Sequence, residues 1–362
     1  MQAYEGLEPL DLPNAGSGPE RTAHPLLAPR ADQLAEVPAG LPPQLTVLVD
    51  AEEDFDWSKP FSHGEASVAS MRHQHRAQAI FRKYGVVPTY VVDYPVASQP
   101  DGYEPLREFL AGGECEVGAQ LHPWVNPPLG EAVNVFNSFP GNLPRPLEAA
   151  KLAALTAMIE ANFGMRPIVY KAGRYGVGPN TSAIIEEAGY LVDTSVVANR
   201  SFAADKGADF TGIGPQPYWF GSRGDLLELP LTCDFTGPLR GVGRRLYPRL
   251  NSSSGRALHL PGVLARLRLL DRIPLTPEGV TLTEAKRLTT TLLASGVRVF
   301  VLAYHSPSLE PGNTPYVRDQ AELRRFLEWI EGYCDFFFGR IGGKPTTPRA
   351  LLDVLGRRPP SG

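Results

Sequence analysis

Short apolar runs rich in β-branched residues alternate along this chain with longer segments of helical spacing. Such alternation is typical of repeated βα units built around parallel strands. Polar residues cluster where several of the runs end, and in a parallel barrel these ends share one rim. The sequence therefore predicts an α/β barrel with its chemistry on one rim. The seven predicted strands are Leu45–Asp50, Val87–Asp93, Cys115–Leu121, Pro167–Ala172, Tyr190–Thr194, Leu226–Leu231 and Val297–His305.

Six longer segments have apolar residues at helical spacing, and most of them lie between predicted strands. The stretch at about 232–281 breaks the alternation because it is rich in Arg, Gly and Pro. It is predicted to be a loop-like insertion in a barrel domain of residues 44–343. The predicted helices are Ala66–Tyr84, Tyr103–Ala111, Leu147–Phe163, Asn180–Ala188, Thr283–Ala294 and Asp319–Tyr333.

Proline marks both ends of the chain. Residues 1–43 hold eight of the 36 prolines and show no sustained period, so a flexible tail is predicted, with an extended arm as the alternative. Residues 344–362 hold four more prolines around a short apolar stretch, Ala350–Leu355, and are predicted to be a second tail.

The chain is nearly balanced in charge, with 35 Lys plus Arg against 39 Asp plus Glu and a formal net charge of -4. This balance argues against a protein that wraps nucleic acid or is held on an anionic membrane. The three cysteines lack the close spacing of a zinc knuckle or a redox pair, so no disulfide scaffold is expected. Without a classical signal or an apolar run of about 18 residues, a cytoplasmic protein with no membrane span is expected.

The first predicted strand ends in four carboxylates within five residues, Asp50, Glu52, Glu53 and Asp54. Carboxylates held so close together at the end of a buried strand repel one another. A divalent metal would offset this repulsion and leave one carboxylate as a general base. The alternative is a solvated acidic loop.

Two other predicted strands end in histidine, at His122 and His305. A neutral imidazole is a common ligand of zinc and other transition metals, and a histidine at a rim can also act as a general acid. A lone histidine is more often structural, but an acidic cluster and two histidines at three strand ends favour a catalytic site. The histidines at positions 63, 73, 75 and 259 are interpreted as structural or surface residues.

The fourth predicted strand leads into a turn that contains Lys171, Arg174 and Tyr175. This turn lacks the residue order of a phosphate-binding glycine loop. A cation here would orient a carboxylate base or a substrate oxyanion, and Lys171 and Arg174 are the candidates, with a solvent-facing pair as the alternative. The eight arginines of the insertion suit an acidic glycan or phospho-sugar, or form a solvated surface.

Taken in order, these residues resemble the polysaccharide deacetylase superfamily, the NodB-homology enzymes of carbohydrate esterase family 4. The resemblance runs from about Gln44 to Tyr333. It implies a deformed seven-stranded (β/α) barrel and metal-dependent hydrolysis of an N-acetyl or related acyl group on a glycan or glycan precursor. The stretches similar to its WalW-type branch are DAEEDFDW, VVPTYVVDYPVAS, EVGAQLHPWVNPP, FNSFPGNLP, YKAGRYGVG and AYHSPSLEPGNTPYV.

The resemblance also implies catalytic roles. Asp50 matches the catalytic base and His305 matches the general acid. Arg174, or Lys171, matches the arginine that orients the base. Four aromatic residues would form the walls of a sugar site, with ordinary core packing as the alternative: Trp57, Trp124, Tyr175 and Tyr316.

A divalent metal, with zinc expected, would be held by His122 together with Glu53 or Asp54. The family's two metal histidines would fall at Gln120 and Trp124, so the implied metal site departs from the family pattern.

This departure keeps two other functions open. The first is a catalytically silent barrel that binds carbohydrate and has lost its metal. The second is a metal-independent hydrolase of a non-peptide C–N bond that uses Asp50 and His305. The expected partner is a glycan or an N-acetylated sugar, not nucleic acid, and the oligomeric state does not follow from the sequence.

Overall fold

The computed structural model describes residues 28–55, 59–64, 66–252, 255 and 257–356. The strands are β1 Gln44–Ala51, β2 Thr89–Val92, β3 Glu116–Leu121, β4 Val169–Ala172, β5 Val192–Asp193, β6 Tyr218–Phe220, β7 Leu226–Glu228, β8 Cys233–Thr236, β9 Asp271–Pro274, β10 Val299–His305 and β11 Lys344–Pro345. The α-helices are α1 His75–Tyr84, α2 Tyr94–Ser98, α3 Pro100–Ala111, α4 Arg145–Phe163, α5 Thr181–Glu187, α6 Gly243–Leu250, α7 Leu260–Arg266, α8 Leu282–Ala294, α9 Gln320–Cys334 and α10 Pro348–Leu355.

One curled sheet organises the protein. Its strand order is β10-β1-β2-β3-β4-β5-β7-β6, with β11 paired to the start of β1. All seven strands from β10 to β7 are parallel to their neighbours, and they are the seven strands predicted from the sequence. The sheet forms a half-barrel with helices around it, so the predicted α/β barrel fold is confirmed.

Two backbone segments span the gap between β7 and β10, where the described strands do not pair. Thr232 N donates a hydrogen bond to Val301 O at 3.2 Å, and Leu275 N donates to Thr232 O at 2.7 Å. Ala303 N donates to Leu275 O at 3.3 Å. The barrel is therefore deformed at this point, because single residues take the place of a paired strand.

The central strand shows why this sequence forms a buried sheet. All eight residues of β1 are buried, and both its neighbours β10 and β2 run parallel to it. A parallel strand covered on both faces requires a nearly continuous apolar run, which Leu45, Val47, Leu48 and Val49 supply. The helices that follow the strands begin and end at capping residues. For example, Asp93 caps α2 by accepting from Val96 N at 2.8 Å, and Gly164 ends α4 at φ 69°.

The insertion at 232–281 carries regular structure and is not loop-like. Strands β8 and β9 pair antiparallel, and helices α6 and α7 lie between them in sequence. The hairpin buries Cys233, Phe235 and Ile273. These strands were not predicted because each mixes charged with apolar residues, and more than thirty residues separate the two. The antiparallel strand β6 was also not predicted.

The described parts of both predicted tails are docked on the barrel. Ala35 N donates to Pro217 O at 2.9 Å, beside the start of β6. At the other end, Lys344 N donates to Pro43 O at 2.7 Å, and α10 buries three leucines, which are Leu351, Leu352 and Leu355. Residues 1–27 and 357–362 lie outside the described residues.

Within the described ranges, none of the helices is both long enough and apolar enough to cross a membrane. The three cysteines are buried free thiols.

Candidate active site

The strand register brings the predicted catalytic residues together at the carboxyl ends of the parallel strands. Asp50 on β1 lies opposite His305 on β10, and Gln120 on β3 lies opposite Lys171 on β4. Residues in register on neighbouring parallel strands point to the same face of the sheet. The Oδ2 atom of Asp50 lies 3.6 Å from Nε2 of His305. The rim predicted from the sequence therefore exists in the folded chain.

Lys171 is the cation that holds Asp50. Its Nζ atom lies 2.6 Å from each carboxylate oxygen of Asp50, and the two side chains are 1% and 3% exposed. A buried carboxylate and ammonium in this geometry are tightly coupled, since both are almost completely shielded from bulk solvent. Of the two cations considered at this turn, the structure brings Lys171 to the base and not Arg174.

His305 has its own carboxylate partner, Glu278, which sequence reasoning missed. The Nδ1 atom of His305 lies 2.7 Å from Glu278 Oε2, and Ser308 Oγ donates to the other oxygen at 2.6 Å. Burial alone would lower the pKa of His305, but Glu278 and two further carboxylates raise it to about 10. Glu278 lies in a short turn at the end of the insertion, where no local pattern indicates a functional residue.

A second buried network surrounds His122. Its Nδ1 atom lies 2.9 Å from Glu53 Oε2, and the Trp124 indole donates to Glu53 Oε1 at 2.8 Å. Burial opposes ionisation of Glu53, but His122 and several hydrogen bonds lower its pKa to about 2. Asp93 lies behind this pair and accepts from Glu53 N at 2.7 Å, and burial raises its pKa well above the ordinary value.

The backbone of the turn after β4 passes so close to His122 and Leu121 that position 173 requires a glycine. A Cβ atom at Gly173 would lie 2.4 Å from Cδ2 of the His122 ring and 2.4 Å from Leu121 O. Any other residue at this position would push the imidazole away from its present place. The indole of Trp124 stacks on the same ring at 4.4 Å between centroids, so His122 is fixed from several sides.

Two sets of groups around His122 are relevant to a metal. Glu53, Asp93 and His122 have ligand atoms within 4.8 Å of one another. However, the carboxylate oxygens of Glu53 and Asp93 already accept hydrogen bonds from protein groups, and neither residue lines the cavity described below. A catalytic ion needs an open coordination position, so this deep set does not suit one.

The cavity side of His122 fits a divalent cation better. Its Nε2 atom lies 3.6 Å from Glu52 Oε2, and the amide nitrogen of Gln120 lies 3.0 Å from the same Nε2. The amide oxygen of Gln120 is buried without a hydrogen-bond partner among the described residues, which offers a third donor atom. Burial raises the pKa of Glu52 to about 7, as expected for a carboxylate that lacks a strong counter-ion. Glu53 would then orient His122 from behind through Nδ1.

Asp54, one of the predicted metal ligands, is not part of this arrangement. Asp54 accepts hydrogen bonds from Ser67 Oγ at 2.7 Å and from Asn313 Nδ2 at 3.1 Å, and so it serves a loop contact instead of the histidine cluster. Trp57 lies outside the described residues.

A cavity of about 680 Å³ opens above Asp50 and His305. Asp50, Glu52, His122, Lys171 and His305 all contribute to its lining. Its walls include aromatic rings that suit the apolar faces of sugars, among them the predicted residues Trp124, Tyr175 and Tyr316, together with Phe61 and Phe202. Cavities of this kind, apolar with a few convergent polar groups, are the usual form of small-molecule sites.

Arg174 lines the same cavity at some distance from the base. Its Nη1 atom donates to Ser138 Oγ at 2.5 Å, and its guanidinium lies 4.2 Å from the centroid of the Phe139 ring. Of the two predicted cations, Lys171 therefore contacts Asp50, and Arg174 contacts Ser138 and Phe139.

Comparison with known proteins shows that this chain resembles some of them in fold but not in sequence. No family model matches the chain, and no curated protein matches it significantly in sequence. A solved structure of a candidate glycoside hydrolase/deacetylase from Parabacteroides distasonis superposes with a TM-score of 0.54 at 12% identity, covering 87% of this chain and 71% of that one. A candidate polysaccharide deacetylase from Mycobacterium smegmatis gives 0.49 at 16% identity, with 91% and 97% covered. A family 4 acetyl xylan esterase from Clostridium thermocellum, solved with a cobalt ion, gives 0.40 at 12% identity, with 86% and 91% covered. The chain thus shares the fold of the Parabacteroides protein.

Proposed function

We propose that this protein is a hydrolase of the polysaccharide deacetylase type, which removes an acetyl or related acyl group from the nitrogen of a sugar in a glycan or glycan precursor. The observation that carries this proposal is the placement of Asp50, held by Lys171, beside the His305–Glu278 pair on the wall of a sugar-sized cavity. The motif resemblance and the shared fold support the same reaction class.

In this mechanism Asp50 is the general base and His305 the general acid. A water molecule adds to the acyl carbon, and Asp50 takes the proton that it gives up. The C–N bond then breaks, and His305 donates its Nε2 proton to the departing amine. Glu278 holds the opposite nitrogen of the ring, which keeps Nε2 directed at Asp50 and the reacting atoms. Lys171 prevents Asp50 from turning away between the two proton transfers.

Glu52, His122 and Gln120 are the residues that would hold a divalent cation in this site. When bound, such an ion polarises the acyl carbonyl and lowers the pKa of a bound water. Glu52 thereby takes the place that the motif resemblance assigned to Glu53 or Asp54, and zinc remains a prediction.

Release of carboxylic acid from N-acylated sugars tests the proposed function. We expect the purified protein to liberate acetate from N-acetylated oligosaccharides, to lose this activity on treatment with a chelator, and to regain it when zinc is restored. Activity that persists in protein shown to be metal-free would favour the metal-independent C–N hydrolase. Sugar binding without release of acid from any N-acylated sugar would reject the hydrolase and leave the silent binding barrel.

The pH profile depends on the His305–Glu278 pair. Because His305 must carry a proton to act as the acid, and its pKa is raised to about 10, activity should fall only as the pH rises through about 10. The Glu278→Gln variant lacks the carboxylate that raises the pKa of His305 most. The alkaline limb of its pH–activity profile is therefore expected to move to lower pH. The matched change Glu331→Gln, at an exposed pair with Lys83, should leave the limb in place.

The same pair also affects stability. The pKa of His305 is higher in the folded state than its ordinary value of 6.5, so the pair stabilises the fold fully below about pH 6.5 and less as the pH rises through about 10.

The pH–activity profile has an outcome that would contradict this assignment. An alkaline limb that is identical in Glu278→Gln and wild type would show that His305 is not the titrating acid.

A further inference from the structure

Two consecutive residues of the strand-four turn have a strained backbone. Arg174 has φ 55° and Tyr175 has φ 60°, values in the left-handed region that residues with a Cβ atom seldom adopt. Such conformations cost free energy and persist where the surroundings impose them, which is frequent at ligand sites. Here the turn directs both side chains to the lining of the catalytic cavity.

The guanidinium of Arg174 lies in a largely apolar setting. It is placed between the Phe139 ring at 4.2 Å and the Phe61 ring at 4.9 Å, and among the described residues it donates a side-chain hydrogen bond to Ser138 Oγ. Within the described ranges, no carboxylate oxygen lies within 4.0 Å of it. Burial lowers the pKa of Arg174, which is the signature of a desolvated cation without a close counter-charge.

Arg200 is a second cation on the same cavity. Its guanidinium lies 4.9 Å from the centroid of the Phe202 ring, and Phe202 in turn stacks on Tyr175 at 5.1 Å. Arg200 is exposed and forms no ion pair with the described acidic residues. It also borders a smaller adjoining cavity of about 110 Å³ that reaches Asp50, Glu278 and His305.

Among the described residues, the other charged groups that line the cavity form no ion pair with these arginines. Asp50 is occupied by Lys171, and Glu52 faces His122. Asp205 lines the cavity and attracts Arg174 electrostatically but forms no ion pair with it. One side of the cavity therefore presents two guanidinium groups that form no ion pair with any described carboxylate. Their forked donors match the oxygens of carboxylates and phosphates.

We propose that Arg174 and Arg200 form an anion-recognition site within the catalytic cavity, and that the substrate is an acylated saccharide that carries an oxyanion group. This inference rests on the proposed function for its acyl group, but the anion site can be tested by itself. The chemistry shared by the possible groups is a planar or tetrahedral oxyanion on a sugar, either a uronic carboxylate or a sugar phosphate.

Binding of sugars without an acyl group isolates the anion site from hydrolysis. We would titrate the full chain calorimetrically with glucose, glucuronate and glucose 6-phosphate, and with inorganic phosphate as the free anion. We expect at least one of the two anionic sugars to bind about 10-fold or more tightly than glucose, with an advantage that shrinks as salt rises. Comparison of the two anionic sugars distinguishes a carboxylate from a phosphate, and phosphate alone should bind more weakly than the better sugar.

Variants then assign the effect to the two arginines. Arg174→Gln and Arg200→Gln are each expected to reduce the preference for the anionic sugar by about 10-fold, and Arg174→Lys to reduce it in part because the forked donors are lost. The matched control is Arg107→Gln, whose guanidinium lies over the Tyr103 ring at 5.9 Å and away from this cavity. Arg200 is exposed, so its variant should fold even if Arg174→Gln does not.

Equal affinity for glucose and both anionic sugars would overturn the inference, as would an anionic preference that survives in Arg200→Gln. These outcomes are separable from a failure of the proposed function. Release of acetate from neutral N-acetylated sugars with no anionic preference would remove only the anion site. Arginine-dependent binding of anionic sugars would sustain the anion site even if no acid were released from any substrate.

Discussion

Replacing Lys171 with methionine is expected to lower the free energy of unfolding by about 3–5 kcal/mol. The ammonium lies 2.6 Å from both oxygens of Asp50, and both side chains are almost completely buried. Removing the cation would leave a charged and almost completely buried carboxylate without its closest partner, since the next cationic group, His305 Nε2, lies 3.6 Å away. Urea denaturation followed by circular dichroism measures the difference.

Two comparisons show whether this loss arises from the uncompensated charge. The double variant Asp50→Asn/Lys171→Met should be clearly more stable than Lys171→Met alone, because it buries no unpaired ion. Lys83→Met, at an exposed pair with Glu331, should cost far less because water screens that interaction. If Lys171→Met lowers the free energy of unfolding no more than Lys83→Met does, the inference that Lys171 compensates a buried charge on Asp50 is wrong.

Replacing Asp50 with asparagine is expected to reduce the turnover number by about 10²–10⁴-fold. Asparagine keeps the size of the side chain but cannot take a proton from water at neutral pH. Sugar binding should be largely retained, because the aromatic walls and the arginines of the cavity are unchanged. Steady-state rates of acetate release, together with sugar affinity measured by calorimetry, separate the two effects.

Folding of the Asp50→Asn variant needs its own control, since it leaves Lys171 without a carboxylate. The double variant Asp50→Asn/Lys171→Met removes both charges and should be equally inactive although folded. Asp101→Asn, at the exposed start of α3, is the matched change outside the site and should leave the rate unchanged. Wild-type turnover in a folded Asp50→Asn protein would reject the base mechanism.

Strand positions were predictable because their signal is local. Each of the seven parallel strands is an apolar run bounded by turn residues, and burial on both faces requires such runs. The small strands β6, β8, β9 and β11 were missed because they do not lie in apolar runs of this kind: β6 is a run of only three residues, and β8, β9 and β11 each contain a charged residue. They form because neighbouring segments of the barrel provide their partners.

The site was predictable in part. Asp50, His122 and His305 each follow an apolar strand directly, so their place on the rim could be inferred from the chain alone. Glu278 could not, because it belongs to a turn in the insertion and reaches His305 only through the closure of the barrel. Nor did spacing distinguish Glu52 from its neighbours, since side-chain direction at the end of β1 depends on how the chain leaves the strand.

The sequence by itself determined the parallel strands, their helices and the rim on which the acidic and histidine residues lie, because hydrophobic period and strand ends are local properties. Only the tertiary structure decided which charged groups meet. It placed Lys171 against Asp50, left Arg174 without an ion pair among the described residues, and turned Glu52 towards His122. These pairings depend on strand register and on the curvature of the sheet, which bring together residues more than fifty positions apart.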